Sequence, residues 1–208
     1  MGVKEATVFR NCRRVLGAVV LAFNPLSRQH IAEILGISAH LIATTLRHLH
    51  SVLLVPGGDL EVIRVFHKSF PDFLQDPNCC PDPKFHIDTP TRHGDIALGC
   101  LELLRKLRKN PCSLPDFVMN LDVPNLPELL EENVGSATRY TCGYWVRSSA
   151  TTGDYALWLI ASATDFLKAS GIQWIEIMSL ENRLESVIHS INDLSDWFNM
   201  VCAQDKCS

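Results

Sequence analysis

Apolar residues recur every three or four positions from Val8 to Phe23 and through most of the chain beyond Ile96, and that rhythm breaks between Val52 and Phe66. A chain patterned this way buries helical stripes against one another and leaves room for little sheet. Within the break, Val52-Leu53-Leu54-Val55 and Leu60-Glu61-Val62-Ile63-Arg64-Val65-Phe66 are rich in β-branched and apolar residues. Pro56-Gly57-Gly58-Asp59 separates them, and glycines supply the positive φ that a tight connection needs. The pattern predicts a β-hairpin.

What precedes the hairpin reads as three helices. Asn24-Pro25 ends the first stripe, and Ser27 suits an N-cap for a short helix carrying Ile31, Ile34 and Leu35. Gly36 accepts the left-handed backbone of a C-cap, and Ser38 caps a third helix whose Leu41, Ile42, Leu46 and Leu49 share a face. Two short helices around a glycine turn make a helix-turn-helix, and three helices plus a hairpin describe a winged helix. A last short helix, Ser69 to Leu74, is expected to pack Phe70 and Phe73 beneath it.

From Gln75 to Pro90 the chain carries four prolines, three aspartates and Cys79-Cys80, a composition that suits an irregular connection. The expected organisation is therefore a winged-helix domain over 1–75, a linker over 76–90 and an all-α helical domain over 91–208, so the fold class is mainly α. In the last of these, Ile96 to Leu107 marks one helix, ending in the basic run Arg105 to Lys109. Leu129 to Trp145 traces a second stripe, Tyr155 to Leu167 a third, Trp174 to Met178 opens a fourth, and Leu184 to Val201 makes a fifth. Stripes of this kind are core positions, and none contains a cofactor box.

The 208 residues include 19 Lys+Arg against 23 Asp+Glu, so the whole chain exerts no attraction on a polyphosphate. Eight cysteines are scattered and form no repeated framework, which suits thiols in a reducing compartment. Cys79 and Cys80 with His86 and His93 lack a second ligand pair at metal spacing, so no metal site is expected. The N-terminal basic residues precede the apolar stretch Val15 to Phe23, yet no small-residue cleavage site follows. No apolar run is long enough to span a bilayer. A soluble cytoplasmic protein without a membrane partner is expected.

A nucleotide-binding Gly-Lys-Ser/Thr loop, a Gly-x-Ser-x-Gly elbow and a His-Glu-x-x-His helix are all absent from the sequence, so no catalytic residues are assigned and the chain is not read as an enzyme. A helix-turn-helix raises DNA binding as the alternative function, that of a winged-helix transcriptional regulator. Its candidate reader, Ser38 to His50, offers Arg47 as its one permanent cation beside His40, His48 and His50, and the wing adds the acidic Asp59 and Glu61. No nucleic-acid partner is therefore expected. His67 stands out instead, at the junction of a strand with a helix start and next to Lys68, where an imidazole can help hold an anion. A histidine bonding a neighbouring carbonyl is the plainer reading, and chemistry alone favours it.

The strings Leu26-Ser27, Ile31 to Gly36, Leu46 to Leu53 and Ile63-Arg64-Val65-Phe66-His67-Lys68-Ser69-Phe70-Pro71-Asp72-Phe73-Leu74 resemble the winged-helix region that follows the NTPase core in fungal NACHT-type STAND proteins, which are NLR-like. Arg105 to Pro115, Pro124 to Leu130 and Ala137 to Trp145 look like the helical region that continues it ahead of WD40 or other repeats. The resemblance implies a non-catalytic signalling module that packs on a NACHT NTPase core, in cis or in trans, and biases its switch. In the wider class a histidine within a Met-His-Asp motif contacts the β-phosphate of ADP. Only His67 carries over as a nucleotide-sensing residue, because Phe66 replaces the methionine and Lys68 the aspartate. The resemblance thus implies no cofactor for the isolated chain, and ADP or ATP only together with an upstream core. The P-loop segments of that family are missing here, so the chain reads as its regulatory part alone, a fragment or a degenerate paralogue.

Overall fold

A computed structural model of the chain describes residues 3–115, 120–152 and 156–205. The fold is mainly helical. Its helices are α1 (Val3–Leu21), α2 (Arg28–Leu35), α3 (Ala39–Leu46), α4 (Ser69–Gln75), α5 (Thr89–Leu104), α6 (Leu126–Asn133), α7 (Ser136–Ala150), α8 (Ala156–Leu180) and α9 (Leu184–Asp205). Two strands, β1 (Leu53–Leu54) and β2 (Arg64–Val65), pair antiparallel with Leu53 opposite Val65 and Leu54 opposite Arg64. The chain forms two compact units, Met1–Ile96 and Ala97–Ser208, divided within α5. Residues 76–90 lie inside the first of them.

In the first unit the short helices begin where their caps dictate. Ser27 accepts the N–H of His30 at 3.1 Å while the His30 ring bonds back to the Ser27 N–H, a reciprocal capping box. Gly36 ends α2 with φ of 62°, the left-handed conformation glycine tolerates best, and Ser38 caps α3 through the N–H of Leu41. These helices bury Ile31, Ile34, Leu35, Ile42 and Leu46 and pack on α1, which buries Val15 and Leu16. Arg14 reaches across to donate to the Leu35 carbonyl at the end of α2, at 2.9 Å.

The expected hairpin over 52–66 is much shorter than its apolar run. Only two residues on each side pair, and Gly57 and Gly58 are not among the positive-φ glycines of the described residues. The reason is a competing partner. Ile63 donates to the Leu26 carbonyl at 2.8 Å, Ser27 and Val62 form a bridge, and Gln29 donates to Asp59 at 3.0 Å. The intervening loop is thereby spread over the start of α2, where Arg28 also bonds Gly57 and Asp59. Helix α4 forms as expected but with a different inner face: Leu74 is buried, whereas Phe73 stays exposed and Phe70 is only partly covered.

His93 on α5 is buried, with its ring stacked on Phe23 at 5.7 Å and its Nδ1 without a hydrogen-bond partner. Burial lowers its pKa from the ordinary 6.5. The unfolded chain therefore takes up this proton more readily than the native one, and stability is lost as pH falls from about 6.5 through the lowered native value. The thermal unfolding midpoint is expected to drop on acidification across this window, and His93→Phe, which keeps the stacking, should flatten the slope. An equal slope in the variant would place the acid sensitivity elsewhere.

In the second unit α7, α8 and α9 each pack on the other two. Trp145 of α7 meets Phe166 and Trp174 of α8 edge to face, at 5.1 and 5.6 Å between ring centroids. The Trp174 indole N–H donates to the Cys142 carbonyl at 2.9 Å. The stripe read from Leu129 to Trp145 proves to be two helices, because Gly135 takes φ of 76° between them. Conversely, the third and fourth stripes are one continuous helix, α8. Tyr155 and Cys207, and the side chain of Cys202, lie outside the described residues.

Candidate functional site

His67 sits where β2 gives way to α4, on an exposed stretch with Phe66, Lys68 and Ser69. Its Nδ1 accepts the backbone N–H of Ser69 at 3.1 Å and lies 2.9 Å from the Ser69 hydroxyl. A backbone N–H can only donate, so Nδ1 is unprotonated and the ring proton belongs on Nε2. The imidazole thus acts as a side-chain cap for the start of α4, where Lys68 at the N-cap position supplies none. What remains is an Nε2–H donor on an exposed ring held at a fixed angle. Exposed apolar side chains occupy the same elements: Leu54 on β1, Leu60 in the loop, Phe66, and Phe73 on α4.

The helix-turn-helix face is sparsely charged. Thr44 turns its hydroxyl back to the His40 carbonyl at 2.9 Å, and Arg47, His48 and His50 follow α3 as exposed residues. Cys79 and Cys80 point to different environments. Cys79 is exposed and donates to Asp76 at 3.3 Å, which raises its pKa, whereas Cys80 is buried. Among the described residues, no group of three or more His, Cys, Asp or Glu side chains is placed to hold a metal ion. No described helix is long and apolar enough to cross a membrane.

Sequence reasoning missed a second constellation, in the other unit. A cavity of about 600 Å³ is walled by Leu126, Leu130, Arg139, Leu180, Glu181 and Arg183 among others. Glu181, 7% exposed, receives Arg139 Nε at 2.5 Å and Arg183 Nη1 at 3.2 Å, and Arg139 also reaches Glu131 at 3.1 Å. Burial works against the Arg139 charge, but the two glutamates outweigh it and hold its pKa above the usual arginine value. Arg183 further lies over the Tyr144 ring at 5.9 Å and packs so closely on Gly143 that a Cβ there would collide with its guanidinium. Arg139 and Arg183 are balanced by the two carboxylates of Glu181 and Glu131, beside an apolar wall that includes Leu126 and Leu130. The available signal was charged residues within and between the apolar stripes, which local spacing does not pair. In the same unit, burial pushes the Cys100 thiol up to about 12 and raises that of Cys142.

No family model, curated protein or solved structure matches this chain.

Proposed function

We propose that this chain is a non-catalytic regulatory module of the NACHT STAND type, in which α1 to α3 and the β1-β2 ladder act as a winged helix. In this reading the module packs on a NACHT NTPase core, in cis or in trans, and His67 donates to the β-phosphate of ADP held by that core. The observation that carries it is the His67 ring: exposed, and committed by Ser69 to the tautomer whose remaining N–H is free to donate. Exposed Leu54, Phe66 and Phe73 on the flanking elements suit burial against a partner surface. The nucleic-acid alternative has less to support it, since Arg47 is the permanent cation that the reader segment offers.

A switch of this kind works by contacts that differ between the resting and assembled states. The module alone is expected to retain no ADP, because its sequence holds no Gly-Lys-Ser/Thr loop. Placed behind a NACHT core, it is expected to retain ADP through gel filtration, and His67→Ala is expected to release it. His67→Gln, which keeps a side-chain donor, should retain part. Equal retention in the alanine variant would remove the sensing role. Salt-sensitive retention of the isolated chain on DNA would favour the transcriptional reading instead.

A further inference from the structure

Three arginines gather within the first unit, and Arg14 among them already spends one N–H on the Leu35 carbonyl. Arg13 and Arg14 are consecutive on α1, and Arg92 stands in the first turn of α5. Gly17, one turn along α1 from both, is what admits Arg92. A Cβ at that position would lie 2.8 Å from Arg92 Cγ, so the arginine stem rests directly on the α1 backbone. Burial lowers the Arg92 pKa, and the nearby charges of Arg13 and Arg14 lower it further against the pull of Asp95 and Asp88.

Counter-charge at this cluster is thin. Asp95 accepts from Arg92 Nη1 at 2.6 Å and stands 3.8 Å from Arg14 Nε, so one carboxylate serves two guanidinium groups. Asp88, the other carboxylate acting on Arg92, is taken up by the Thr91 N–H at 3.1 Å. Arg13 gives one N–H to the Pro83 carbonyl at 2.9 Å, and its buried Nε has no hydrogen-bond partner. A guanidinium carries five N–H donors, so most of those in the cluster are unspent.

The geometry points to an anion site: Arg13, Arg14 and Arg92 bind a tetrahedral oxyanion of the phosphate class, either inorganic phosphate or a phosphomonoester. Arginine forks arriving from two helices match the several oxygens of such a group, whereas Asp95 already supplies the planar carboxylate partner. This site is independent of His67 and of any NTPase core.

The test is calorimetric titration of the isolated chain with inorganic phosphate and, separately, with glycerol 2-phosphate, at constant ionic strength. Saturable binding is expected for at least one of the two, and the tighter of them identifies the source of the phosphate group. Arg92→Lys keeps the charge and the aliphatic stem over Gly17 but loses the fork, and should weaken binding about ten-fold or more, the size of one charge-assisted hydrogen bond. Arg47→Gln, an exposed cation outside the cluster, should leave it unchanged. Absence of saturable binding in the wild-type chain, or equal affinity in Arg92→Lys, would overturn the site and leave the arginines as staples between helices.

Discussion

Replacing Trp145 by alanine is expected to destabilise the second unit by about 3–5 kcal/mol, the cost of emptying an aromatic position in a packed core. Trp145 is fully buried, and both its ring neighbours, Phe166 and Trp174, come from α8. Phe166 and Trp174 also meet each other at 6.5 Å between centroids, so the three rings form one closed contact set. Trp145→Phe should cost less than half as much. It keeps a ring against Phe166 and removes an indole N–H that is buried without a hydrogen-bond partner. Urea unfolding followed by far-ultraviolet circular dichroism measures both, and a loss below about 1 kcal/mol for the alanine variant would mean that the rings do not organise this core.

Removing the Glu181 carboxylate is expected to be the next largest effect, about 2–3 kcal/mol for Glu181→Ala. The carboxylate is nearly sealed from water and bonds both Arg139 and Arg183, whose side chains are 32% and 33% exposed. Their partial exposure keeps the expected loss below that of a fully buried pair, because water screens the guanidinium groups left behind. A second change tests the coupling. With Glu181 already alanine, Arg139→Ala removes one of two like charges facing the same cavity and should cost less than it does in the wild-type chain. Strictly additive losses in that double-mutant cycle would show that the arginines and the glutamate are not coupled.

Much of the first unit was legible because its signals are local. Ser27, Gly36 and Ser38 act within three or four residues of themselves, through a cap hydrogen bond or a permitted φ, and each does what its type predicts. The candidate His67 was likewise readable as the residue at a strand-to-helix junction, although its bond to the Ser69 N–H, which assigns the tautomer, was not. The hairpin was overdrawn because β-branched residues report only a preference for extended backbone. Whether Ile63 pairs across a turn or with Leu26 depends on a chain segment 37 residues away.

The helical stripes were read as uniformly internal, and several are not. Trp158, Ile175, Leu184, Ile188 and Ile191 all fall at helical spacing, yet each is at least 40% exposed. Periodicity says that a face exists, and only the position of α7, α8 and α9 against one another says which face is inside. The Arg139–Glu181 pair and the arginines around Asp95 were invisible for a related reason. A long charged side chain carries no mark of its partner in the sequence, and these partners lie 42 residues apart in one case and, for Arg14 and Asp95, on separate helices in the other.

Composition, caps and spacing were enough to establish a mainly helical chain with a short extended interruption and no phosphate loop, since each of those depends on a residue and its near neighbours. Burial, charge pairing and the seating of Arg92 on Gly17 were decided by tertiary structure. They depend on which distant surfaces come within a few ångströms, a quantity set by the free energy of the whole packed unit and written in no single stretch of the chain.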